Sequence, residues 1–114
     1  MAEMELRSGF LTLKVEGDLD CATAAEFREN VAELRRHPAV AIDLSGVPFI
    51  DSAGLGALIG GVRRIREVGG VVAVVAPRQS VGRVLAMTGF DRIATIYTSI
   101  DKAAADLLVS TTAV

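Results

Sequence analysis

The stretch Ala41-Ile42-Asp43-Leu44-Ser45-Gly46-Val47-Pro48-Phe49-Ile50-Asp51-Ser52-Ala53-Gly54-Leu55-Gly56 decides how the rest of the chain is read. It begins inside a short apolar run, residues 39–44, that reads as a buried strand. Ser45-Gly46-Val47-Pro48 is a loop, and Phe49-Ile50 returns to the interior. From Ala53 to about Glu67, Leu55, Leu58, Ile59, Val62 and Ile65 recur on or near one helical face. A buried strand thus delivers a loop to a helix N-terminus, with Asp51 and Ser52 at the junction. Either residue suits an N-cap, because a short side-chain oxygen accepts from the free amides of the first turn. Gly54 and Gly56 then cost helix stability relative to alanine. Two glycines at this point imply a close approach, by a partner chain or by an adjacent element. On local chemistry alone, a plain capping pair with glycines that permit tight packing stays open beside a functional serine.

Upstream, residues 10–16 alternate, with Phe10 and Thr12 on one face and Leu11, Leu13 and Val15 on the other, as in a half-buried strand. Residues 3–8 read as a short preceding strand, with Ser8-Gly9 as the turn. Thr23 and Glu26 form a capping-box spacing before Phe27, Val31 and Leu34, so a helix is expected over about 23–36, ended by Pro38. Downstream, Gly69-Gly70 stops the second helix. Residues 71–75 are continuously apolar and read as a strand buried on both faces. A helix follows over about 79–88, with Val81, Val84 and Leu85 inward and Gly89 as its cap. Residues 93–96 read as a last strand, and Ser99 caps a final helix over about 100–108. The tail Ser110-Thr111-Thr112-Ala113-Val114 is expected to fray. Helices alternate with strands, and the first two strands add an antiparallel element. The expected fold class is therefore α/β, with a small mixed sheet of about four to five strands flanked by about four helices.

The length of 114 residues fits one domain, 1–114, with no internal repeat or linker. Aromatics are only 4% against 51% apolar residues, so aliphatic packing must build the core. The net charge of -2 argues against direct nucleic-acid binding, and the basic stretch Arg63, Arg64, Arg66 reads as a solvated helix face. Cys21 is the single cysteine, which fits a reducing compartment, and no role is assigned to it. His37, the only histidine, reads as a cation at a helix C-terminus. The acidic N-terminus is unlike a secretory signal. The most apolar stretch, residues 68–77, is about half a membrane span. A soluble, cytoplasmic chain is expected. Catalysis is not: Ile50 stands where a nucleophile elbow needs glycine, and no histidine accompanies Ser52. A phosphate-binding loop fails because no lysine follows Gly56. Metal binding lacks a ligand set, and no cofactor is implied.

Three spaced motifs carry a resemblance over about residues 10–108. Gly17-Asp18-Leu19-Asp20 with Thr23 resembles the Gly-Glu-Leu-Asp-x-x-Thr signature of the STAS family, which includes bacterial anti-sigma factor antagonists; Asp18 replaces the commoner Glu. Asp51-Ser52-Ala53-Gly54-Leu55 resembles that family's phosphorylation motif. Gly69-Gly70-Val71 and Val84 to Phe90 resemble its later helix and ending. The resemblance implies a partner switch. The unphosphorylated protein binds an anti-sigma factor that is also a serine kinase, and so frees a sigma factor. Phosphorylation of Ser52 ends the binding, and a phosphatase restores it. Ala53 leaves Ser52 as the only acceptor in the motif. By the same resemblance Asp20 and Asp51 fall near the kinase-facing surface; from the residues around the serine, Gly54 and Leu55 are expected as contact positions. The family also includes cytoplasmic subunits of lipid ABC transporters, parts of stressosome-like assemblies and appendages of anion transporters; the intact motif favours the sigma-regulatory role.

Overall fold

The computed structural model describes residues 2–7, 9–34 and 36–112. Its elements, in chain order, are β1 (Ala2–Arg7), β2 (Phe10–Glu16), α1 (Ala24–Leu34), β3 (Ala39–Gly46), α2 (Ser52–Glu67), β4 (Val71–Val75), α3 (Gln79–Met87), a 3-10 turn (Phe90–Arg92), β5 (Ile96–Tyr97) and α4 (Ile100–Thr112). The strands form one sheet in the order β1-β2-β3-β4-β5. β1 and β2 are antiparallel, and the remaining pairs are parallel. This is the expected mixed sheet with four helices.

The period-2 alternation of the strands sorts side chains onto two unlike faces. Leu13, Val15, Val40, Ile42, Leu44, Val72 and Val74 join the apolar sides of α1, α2 and α3 in the larger cluster. Phe27, Leu34, Leu58, Ile65 and Leu85 are fully buried there. The other face is built from Phe10, Ala39, Ala41, Ala73 and Val75. Its three alanines let α4 lie close, with Ala103 and Leu107 pressed onto it. β3 and β4 are buried on both faces, as central parallel strands must be.

Several expectations are corrected. β2 is not half-buried: Thr12 is sealed beside Phe10 while Leu13 and Val15 are sealed opposite, because α4 covers the second face. Thr23 does not cap α1 as a capping box. Its Oγ1 lies 2.8 Å from the Asp18 carbonyl, to which it donates, and 3.0 Å from the Asp20 amide. The Asp20 carboxylate accepts from the Ala22 and Thr23 amides of the turn just before α1, at 3.0 and 3.2 Å, and the Asp20 main-chain carbonyl accepts from the Ala24 amide at 2.8 Å. His37 lies beyond the end of α1, with its amide donating to the Leu34 carbonyl. The last strand starts later than expected, because the Ile93 and Ala94 amides are both turned back to the Phe90 carbonyl. α4 runs to Thr112 rather than Leu108. At Leu108 it is docked, with a side-chain methyl directly over Gly9 of the β1–β2 turn. Ser8 of that turn, and residues 113–114 of the tail, lie outside the described residues. Gly69, expected as a stop, has φ +85°, a conformation that glycine adopts without the penalty a side chain brings.

Candidate functional site

The site is assembled where two loops meet at the start of α2. A short parallel bridge joins Leu19 to Ile50. The Leu19 amide donates to the Phe49 carbonyl at 3.0 Å, and the Asp51 amide donates to the Leu19 carbonyl at 3.2 Å. These bonds hold the 17–20 loop against the approach to α2. They explain why a glycine must follow: a Cβ on Gly54 would stand 2.0 Å from the Leu19 carbonyl oxygen. Of the two sequence explanations for this glycine, the adjacent element is the one observed. Gly54 is buried, so its close neighbour is this chain itself. Gly56 is different: it is exposed, and a Cβ there meets nothing within 4 Å.

Asp51 is the N-cap of α2, with φ -105° and ψ -175°. One carboxylate oxygen accepts from the Gly54 amide at 2.9 Å, satisfying an orphan donor of the first turn. The other accepts from the Cys21 amide at 3.2 Å. One side chain therefore caps the helix and ties down the loop that carries Asp20. Asp20 is half-buried and spends its carboxylate on its own turn.

Ser52 is the first residue of α2 and is exposed. Because Asp51 does the capping, the serine hydroxyl is left in solvent. The Ser52 and Ala53 amides take no side-chain cap among the described residues, and the helix dipole adds partial positive charge at this end. The structure thus brings Asp20, Asp51, Ser52 and half-buried Leu55 into one neighbourhood, with Gly54 beneath them. Sequence reasoning missed two neighbours. Phe49 was expected in the interior with Ile50, but it is 52% exposed while Ile50 is 4% exposed. Alternation past Pro48 carried that signal, since adjacent residues of an extended segment point to opposite sides. Cys21 is exposed beside Asp51, and nothing local in its sequence marks that contact.

A five-stranded mixed sheet whose buried third strand feeds an Asp-capped helix with a free serine in first position defines a small α/β domain of the serine-presenting kind. The chain belongs to the STAS domain family, whose model matches residues 1–103. It is 34% identical over 98 residues to the anti-sigma F factor antagonist of Paenibacillus polymyxa, covering 83% of this chain and 84% of that protein. It is 28% identical over 82 residues to the anti-sigma-B factor antagonist of Staphylococcus epidermidis, covering 70% of this chain and 76% of that protein. The crystal structure of an anti-sigma factor antagonist from Mycobacterium paratuberculosis superposes with a TM-score of 0.86 at 28% identity, covering 94% of this chain and 92% of that one. All three relatives are named for a regulatory activity, not an enzymatic one. No helix among the described residues is long and apolar enough to cross a membrane.

Proposed function

We propose that this chain is an anti-sigma factor antagonist switched by phosphorylation of Ser52. Its partner is an anti-sigma factor with serine kinase activity, and docking of the unmodified chain frees a sigma factor in the cytoplasm. The kinase transfers a phosphoryl group to Ser52, and a phosphatase removes it. The observation that carries this reading is the exposed hydroxyl at the first position of α2 beside a cap that is already made.

The physical effect of the phosphate separates fold from docking. It adds about -1.5 to -2 charges at neutral pH. At a helix N-terminus that charge is favourably placed, so the fold tolerates it. A docked partner must instead desolvate it beside Asp51 and Asp20. A loss of about 3–4 kcal/mol from such an unpaired buried charge lowers affinity roughly several hundredfold. Phe49 and Leu55 supply apolar contact around the serine, and Gly54 keeps the helix start close to the Leu19 loop.

The test uses the cognate kinase, identified by co-purification, and titration calorimetry. Ser52→Ala is expected to bind as wild type and to stay unphosphorylated by mass spectrometry. Ser52→Asp is expected to bind far more weakly. Equal binding of the Asp variant, or co-purification with a membrane permease and its ATPase instead of a kinase, overturns the proposal.

A further inference from the structure

Away from Ser52, the edge strand β1 carries a self-complementary pattern. β1 pairs on one side only, with β2, and so leaves its other edge open. Met4 and Leu6 stand opposite Leu13 and Leu11 on the face of the larger core. Yet Met4 is 37% and Leu6 71% exposed. Glu3, Glu5 and Arg7 lie on the opposite face. Glu5 is engaged by the Lys14 ammonium at 3.1 Å. Arg7 reaches Glu5 only at 3.9 Å, and Glu3 has no ion pair among the described residues.

We propose that β1 joins two copies of this chain edge to edge into a two-fold dimer, antiparallel and centred on Glu5. In that register Met4 faces the partner's Leu6, and Glu3 faces the partner's Arg7, twice each by symmetry. Directly opposed side chains of an antiparallel pair lie on one face, so the register is selective. A one-residue slip sets apolar against charged residues. Centring on Met4 opposes Glu3 to the partner's Glu5 twice. Centring on Leu6 leaves Ala2, Glu3 and Met4 beyond the partner's strand. The Glu5-centred pairing leaves only Ala2 beyond the partner's strand, covers both exposed apolar side chains and gives Glu3 a cation; its one like-charge contact, Glu5 against the partner's Glu5, is offset by the Lys14 ammonium that each Glu5 holds at 3.1 Å. The dimer continues the sheet through main-chain hydrogen bonds and satisfies an edge otherwise left open. This inference is independent of the Ser52 reading, because β1 contributes nothing to the start of α2.

Sedimentation equilibrium tests it by charge exchange. The wild type is expected to show a reversible monomer–dimer equilibrium. Glu3→Arg opposes two arginines, and Arg7→Glu opposes two glutamates. Each alone is expected to weaken dimerisation about tenfold or more. An equimolar mixture restores both ion pairs and is expected to dimerise within about threefold of wild type. Leu6→Lys, at the most exposed apolar position of the strand, provides a second breaker that does not involve Arg7. Circular dichroism confirms that each variant is folded. A wild type that stays monomeric, single variants that dimerise as wild type does, or a mixture that fails to recover overturns the proposal.

Discussion

The starts of α2 and α3 face the same loop, residues 45–49, and both carry a serine in the first turn, but they are built in opposite ways. At α2 the residue before the helix supplies the cap, and Ser52 is free in solvent. At α3 the N-cap is Arg78, which makes no side-chain cap bond. Its Nε instead donates to the Ser45 carbonyl at 2.9 Å. Ser80 Oγ donates to the Pro48 carbonyl at 3.2 Å. One serine is available because its neighbour does the structural task, and the other is engaged in holding a loop. A serine near a helix start is therefore not in itself a switch. What marks Ser52 is the division of labour with Asp51.

The largest expected effect probes how tightly the α2 start is held. Gly54→Ala places a Cβ 2.0 Å from the Leu19 carbonyl oxygen, which is backbone and does not swing away. A loss of about 3 kcal/mol or more is expected by urea denaturation, at the upper end of overpacking costs. Gly56→Ala, two residues on and facing open space, is expected to gain about 0.5–1 kcal/mol. Equal effects at the two sites would show that the Leu19 contact is not what Gly54 serves. Asp51→Ala removes the cap and the Cys21 tie together, and is expected to cost about 1–2 kcal/mol. Asp51→Asn retains an acceptor oxygen and is expected to recover most of that. Arg78→Ala has no cap to lose, so its cost is expected within about 0.5 kcal/mol.

The contrast also shows which features local sequence carries. β3 and β4 are legible as continuous apolar runs, and the apolar stripes of α1 and α2 because burial on a 3.6 period repeats within a few residues. Asp51-Ser52 is legible as a capping pair because short side-chain oxygens directly before a helical apolar pattern mark a helix start. The Leu19–Ile50 bridge and the bond from the Cys21 amide to Asp51 are not, since they join residues about thirty apart and leave no local period. Thr23 misled because its spacing to Glu26 matches a capping box, while the Asp18 carbonyl and Asp20 amide compete for its hydroxyl. The length of α4 was hidden because Ser110, Thr111 and Thr112 are weak helix formers. Docking of Leu107 and Leu108 carries the helix past that limit.

Ser52→Asp asks whether the two starts respond differently to charge. A carboxylate at the first position of α2 is expected to raise stability by about 0.3–1 kcal/mol at low salt, a gain that shrinks as salt screens the dipole. A clear loss of stability would mean that charge there disturbs the fold as well as docking, and would blur the separation on which the switch depends.

The smallest expected effect repairs the weaker start. Arg78 has φ -72° and ψ 125°, extended backbone compatible with a capping residue, yet its own side chain reaches away to Ser45. Arg78→Ser supplies a short oxygen to the first-turn amides, worth about 1 kcal/mol. It removes one exposed hydrogen bond to the Ser45 carbonyl, worth about 0.5 kcal/mol. The net expectation is a gain of about 0.5 kcal/mol in urea denaturation. The loop it releases is the one that leads to Phe49 and Ser52, so hydrogen exchange at residues 45–49 is expected to rise even as global stability increases. If stability rises while exchange there is unchanged, the Ser80 hydroxyl alone fixes the loop, and the two helix starts are less coupled than their shared loop implies.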